Sequence, residues 1–305
     1  MTSIAKKSIL STADVARLFN VTETTVKRWA DEGTLRCQKT PGGHRKFEIR
    51  YVVDFAEVNH FEPAGTLSIP GEDRLAQRIQ VATLGRDFSE LVAAYVEKAL
   101  APDRSDIFPF LSYLYQHRVQ LWEMYDLVIR PGMVEIGERF VRGKIGVNHE
   151  HRASYETLDA LAKLQAQIHI KALAGRSVVC ACAGDDLHEI GLRCASYLFE
   201  SEGWMVVYLG ARIPPEAVRA AIREMTPDLV CLSLTHPAAG ESPEKALTEI
   251  IRGTQESGCR VILGGRVAAS LSLPPGSVDA VHNSARGLMD YIAAFDRPAT
   301  MHAPA

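Results

Sequence analysis

Hydrophobic and polar positions change their spacing along the chain, and each change marks a different architecture. Over residues 8–58 the apolar positions come in short runs broken by turn residues. Ser11 is placed to cap a helix ending near Leu18, with Asp14 completing a capping box. Asn20-Val21 makes a turn, and Thr22 can cap a second helix to about Glu32, where Gly33 stops it. Thr40-Pro41-Gly42-Gly43 reads as a tight turn between two short extended pieces, and a third helix is predicted over Glu48–Val58.

Residues 59–74 carry Pro63, Gly65, Pro70 and Gly71 with little periodicity and read as a linker. From 75 to 171 the apolar spacing is i, i+3, i+4, which predicts a four-helix bundle. Pro131-Gly132 marks a break in it, and Gly143–Val147 a turn. After Gly175 the period shortens. Ser177–Ala183, Met205–Leu209, Asp228–Leu234 and Arg260–Leu263 are strand-like, with a weaker strand near Val278–Val281. Helical segments at about 189–203, 214–225, 241–256 and 285–294 separate or follow them. Alternating strands and helices predict a doubly wound parallel sheet of the Rossmann or flavodoxin kind over residues 172–296. Residues 297–305 read as a tail. The fold class is therefore multidomain, α followed by α/β.

Composition narrows the setting. The 305 residues are 47% hydrophobic, yet no apolar run reaches the roughly 18 residues that span a bilayer. The N-terminus lacks a secretory h-region. The expectation is a cytoplasmic protein that meets no membrane. None of the six cysteines forms a C-x-x-C pair, and several lie in strand-like runs, where reduced Cys behaves as a small hydrophobe. Charge is uneven. Residues 1–50 hold ten Lys and Arg against five acids, a net +5, so the rest of a chain of net −3 carries −8. A basic head on an acidic body points to a polyanion partner.

The head has the order such a partner needs. Two short helices joined by a tight turn can lay the second in a major groove, exposing Thr24, Thr25, Lys27 and Arg28 while Val26 and Trp29 pack inward. Residues 34–47 form a two-stranded wing whose Lys39, His44, Arg45 and Lys46 can reach phosphates. The stretch from Ser11 to Phe47, above all Gly42-Gly43-His44-Arg45-Lys46-Phe47, resembles the winged helix-turn-helix of the MerR family over the first 58 residues. That resemblance implies operator DNA as partner and a homo-oligomer, dimer or tetramer, as the binding form.

A second constellation follows the first strand of the α/β region. It is Asp186-Leu187-His188-Glu189-Ile190-Gly191. Ser233 and Thr235 end the third strand, Gly264-Gly265 the fourth, and Gly210 the second. All lie on the edge where open α/β sheets bind ligands. A neutral imidazole is a good ligand for cobalt or iron, and Asp186 can take the other ring N–H and fix the tautomer. Gly191 lets the next helix approach closely, and Gly264-Gly265 lets a flat ring lie against backbone.

This D-x-H-x-x-G, S-x-T, G-G set resembles the B12-binding domain of methionine synthase and the carbon-skeleton mutases. The resemblance implies that His188 replaces the cofactor's benzimidazole as lower cobalt ligand. The displaced nucleotide tail then enters a slot near Ser233, Thr235 and Gly264-Gly265, and the bundle caps the upper face. With the MerR-like head, the whole chain resembles the CarH/LitR family of light-responsive, adenosylcobalamin-dependent repressors. In that family a Trp, nine residues, then Glu-His define the upper face. Glu150-His151 is present here, but Phe140 stands in the Trp position, and Val141 stands where light-sensing members carry His.

The expectation is a regulator, not an enzyme, since a corrinoid enzyme needs a substrate domain of about 250 residues and none remains. Another cobalamin, or haem on His188, stays open as the cofactor. So does an α/β domain used for protein contacts alone.

Overall fold

The computed structural model describes residues 9–59, 73–102, 107–235 and 243–295. The predicted tail, and nearly all of the linker expected at 59–74, lie outside these residues. The described chain forms two compact units. One comprises the residues up to Gln120 together with Leu127–Ala160. The other comprises Leu121–Asp126 and the residues from Leu161 onward.

In the first unit, β1 (Ile9–Ser11) leads into α1 (Thr12–Leu18) and α2 (Glu23–Asp31). Ser11 caps α1 through a complete capping box with Asp14, and the Thr22 side chain accepts from Thr25 N–H at the start of α2. β2 (Gln38–Lys39), β3 (Arg45–Glu48) and α3 (Ile49–Val58) follow. The two strands expected in the wing, β2 and β3, pair antiparallel, and β1 adds a third that was not expected, in the order β1-β3-β2. Three residues are too few to show a period, and β1 gains its strand character by pairing Leu10 with Phe47. Leu10, Val15, Leu18, Phe19, Val26, Leu35, Phe47, Val52 and Phe55 form the core, with Trp29 packed on Phe19 and Phe55.

Helices α4 (Asp73–Gly85), α5 (Phe88–Leu100) and α6 (Ile107–Gln116) come next. Val81 of α4 joins the core of the head. α7 (Leu121–Met124) runs through a π-helical turn, Tyr125–Ile129, into α8 (Arg130–Val141), and α9 spans Val147–Gln165. Pro131-Gly132 therefore does not break the helix. The wider π turn just before it accommodates a proline that cannot donate a backbone hydrogen bond. Gly132 is the seat of the Tyr95 ring, which a Cβ there would strike at 2.3 Å. Tyr95 also shares a 2.6 Å hydrogen bond with the Thr157 hydroxyl.

The second unit is a five-stranded parallel sheet. Its strands are β4 (Ser177–Ala183), β5 (Met205–Ile213), β6 (Leu229–Ser233), β7 (Arg260–Gly264) and β8 (Ala280–His282), in the order β5-β4-β6-β7-β8. Between them run α10 (Ile190–Ser201), α11 (Pro215–Met225), α12 (Pro243–Ser257) and a short 3-10 turn, with α13 (Ala285–Phe295) last. This is the flavodoxin-like order, with its switch point between β4 and β6. One face packs Val179, Ala181, Val230, Leu232, Val261 and Leu263 against α11 and α12. β5 runs on past Gly210, which lies at a bulge in its pairing with β4 and does not end the strand.

Candidate functional site

Two regions hold the residues that carry chemistry. In the head, Thr24, Lys27 and Arg28 are exposed on α2 and Thr25 is half-buried, while Val26 is buried beneath them. Lys27 and Arg28 lie 3.8 and 3.9 Å from Glu23 and Glu32 on the same helix. In the wing, His44 is exposed at the turn, and its N–H donates to Thr40 Oγ1. Arg45 is turned inward. Its side chain is 17% exposed, and one guanidinium nitrogen lies 2.7 Å from each oxygen of Asp31 at the end of α2. Lys39 meets the same carboxylate at 3.2 Å. Hydrogen bonds from Arg45 and then Lys39 hold the Asp31 pKa below its ordinary value. Asp31 thus ties Lys39 and Arg45 of the wing to α2, a role that charge counting missed because it scored Arg45 only as a positive charge.

The second region lies at the sheet's switch point. β4 ends at Ala183, and Gly184, at φ +63°, turns the chain into the loop before α10. Asp186 is buried there and bridges the two strands that part. One oxygen, Oδ1, accepts from the His188 backbone N–H at 2.9 Å and meets the His188 ring Nδ1 at 2.8 Å. The other, Oδ2, accepts from the Thr235 N–H just beyond β6. Burial pushes the Asp186 pKa up. The bonds from the His188 ring, Thr235 and the His188 backbone outweigh it and hold the carboxyl below its ordinary value. The charged carboxylate fixes Nδ1 as the protonated ring nitrogen, which makes Nε2 the nitrogen able to ligate a metal. The His188 side chain is 54% exposed.

Around this loop Ser233 is buried at the end of β6, in register with Cys182 of β4 on one side and Gly264 of β7 on the other. Gly265 takes φ +97°, and a Cβ there would fall 2.2 Å from the Leu234 carbonyl oxygen. Only glycine fits, because the Leu234 backbone fills the place a side chain would take. Gly191 corrects an expectation. A Cβ on it meets nothing within 4 Å, so it does not serve helix packing and opens onto space beside the His188 loop. Sequence reasoning missed Cys182 and His282, which extend the Ser233–Gly264 row in both directions. It also missed the Tyr208 hydroxyl, which donates to Glu189 at 2.8 Å under the Arg193 guanidinium.

The remaining candidates belong to the helical unit. Phe140 and Val141, at the end of α8, are 41% and 83% exposed. In the first turn of α9, Glu150 is half-buried and accepts from the Ser154 hydroxyl, with exposed His151 3.6 Å away. His149 is half-buried.

His188 offers one nitrogen, and among the described residues no group of three or more His, Cys, Asp or Glu could hold a metal ion. A metal at His188 must bring its other ligands with it, as a macrocycle does. An oriented imidazole and open space at Gly191 fit a corrinoid.

Comparison with known proteins agrees with both regions. The B12 binding domain model matches residues 176–289, and the helix-turn-helix domain model matches residues 9–59. The chain is a helix-turn-helix regulator with a B12-binding domain, CarH-like in its make-up. It is 27% identical over 267 residues to the HTH-type transcriptional repressor CarH of Myxococcus xanthus, covering 84% of this chain and 88% of the relative. The HTH-type transcriptional repressor CarA of the same organism is 31% identical over 127 residues, 42% of each chain. The monomethylamine corrinoid protein of Methanosarcina barkeri shares the fold at a TM-score of 0.56 and 16% identity, over 69% of this chain and 98% of that one. Among the described residues no helix is long and apolar enough to cross a membrane.

Proposed function

We propose that the protein is a transcriptional repressor that holds adenosylcobalamin with His188 as lower ligand and releases operator DNA in light. The observation that carries the reading is the buried Asp186 carboxylate, which binds both the His188 ring and the Thr235 backbone at the switch point. When bound, the cofactor supplies a cobalt–carbon bond that light breaks. Asp186 keeps Nε2 of His188 presented, and Ser233, Thr235, Gly264 and Gly265 receive the nucleotide tail. Phe140, Val141, Glu150 and His151 are proposed as further residues that would bind the cofactor. Thr24, Thr25, Lys27, Arg28, His44 and Lys46 contact DNA, and the binding form is a dimer or tetramer. For light to act, the cofactor must favour the DNA-binding form over the other.

The test is gel filtration and operator binding with adenosylcobalamin, in the dark and after illumination. A larger species that binds DNA in the dark and dissociates in light is expected. An unchanged oligomer with unchanged DNA affinity overturns the reading.

One observation favours a second reading. Val141 has no donor atom and Phe140 lacks an indole N–H, so the upper side differs from the light-sensing pattern. The sensed ligand is then another cobalamin, or haem on His188. Absorption spectra of protein loaded with each, beside His188→Ala, separate these. A protein that binds no tetrapyrrole leaves the α/β domain a protein-contact module.

A further inference from the structure

The last strand of the sheet carries a histidine that the cofactor motif does not include. Cys182, Ser233, Gly264 and His282 are register partners across β4, β6, β7 and β8. Register partners point to the same face of a sheet. It is the face opposite the one packed on α11 and α12. The row lies at the C-terminal ends of the strands, level with the His188 loop. Gly264 contributes no side chain to the row, and Ser233 and His282 stand two strand spacings, roughly 10 Å, apart.

His282 stands at the far end of that row. Its ring packs against Tyr291 of α13 with centroids 5.1 Å apart. Its Nε2 is buried and has no hydrogen-bond partner among the described residues. Burial lowers the His282 pKa, so the ring favours its neutral form. A neutral ring presents one N–H and one acceptor, and a buried ring nitrogen without a partner is costly.

We infer that His282 is a cofactor-binding residue whose Nε2 hydrogen-bonds the polar nucleotide tail of the corrinoid where the tail passes over Gly264. The inference rests on the cofactor reading above and extends the tail slot to β8. It also distinguishes two histidines of the site. His188 meets the metal, which every corrinoid carries. His282 meets only the tail.

The test uses that difference. Hydroxocobalamin and hydroxocobinamide share metal and upper ligand, but the second lacks the nucleotide tail. Each is titrated in dim light against the full chain, His282→Ala and His282→Gln, read by visible absorption. His282→Ala is expected to weaken hydroxocobalamin about ten-fold, the size of one hydrogen bond, and to leave hydroxocobinamide unchanged. His282→Gln, whose amide can still reach the tail, recovers most of the loss. No loss in His282→Ala, or an equal loss for both corrinoids, overturns the inference. If the unmodified protein binds both corrinoids and the variants match it, only the role of His282 falls. If it binds neither, the cofactor reading falls as well.

Discussion

Two carboxylates in this protein do the same job in opposite settings. Asp186 is buried and pins the His188 ring; Asp31 stands in solvent and pins the Arg45 guanidinium. Each fixes the direction of a basic side chain, and each has its pKa lowered by the groups it holds. Solvent makes the difference. Around the buried Asp186 carboxylate the low dielectric strengthens its bonds. Around Asp31 water and salt compete for both partners. Removing the first should cost much, and removing the second little.

Asp186→Asn is the sharpest test of the buried partner. An amide has one carbonyl oxygen where the carboxylate has two. Whichever way it turns, its NH2 faces a donor, either Thr235 N–H or the His188 pair. Cofactor affinity should fall about 10- to 100-fold, as losses of a group that orients a metal ligand do. Titration of cobalamin by visible absorption measures this, and a loss under three-fold would put Asp186 on a level with an exposed carboxylate.

Two glycines sharpen the contrast next. Gly265→Ala forces a Cβ onto the Leu234 carbonyl at a left-handed φ. It should destabilise the fold by about 3 kcal/mol in urea unfolding. Gly191→Ala meets nothing in the chain. It should leave stability within about 1 kcal/mol and weaken only cofactor binding. Equal stability losses would mean that Gly191 serves packing after all.

How far these settings were legible in the sequence follows from which bonds are local. Ser11, Asp14 and Thr22 are caps that act within three residues, so pattern alone located α1 and α2. Asp186 and His188 are two apart, and their pairing was readable for the same reason. The Asp186–Thr235 bond spans 49 residues, and the Asp31–Arg45 bond 14. Neither has a local signal. The β1 strand exists only because β3 pairs with it. His282 joins the site through sheet register, which no spacing along the chain reveals. Pro131 misled because a π turn, invisible to a period count, absorbs it.

Asp31→Asn carries the smallest effect and the clearest sign. If DNA binding depended only on charge, the substitution would tighten it, since the head gains one positive charge and Arg45 and Lys39 are released toward phosphate. If Asp31 positions the wing, the substitution loosens both cations from α2 and binding weakens despite the added charge. The geometry favours the second. Arg45 is turned inward, and one of its guanidinium nitrogens meets both carboxylate oxygens. A loss of about three-fold is expected on a random-sequence duplex at low salt, shrinking as salt rises. Fluorescence anisotropy across a salt series reads it. Tighter binding at every salt concentration would show that Arg45 reaches DNA, and that in the head, unlike the cofactor loop, the carboxylate restrains the base and does not aim it.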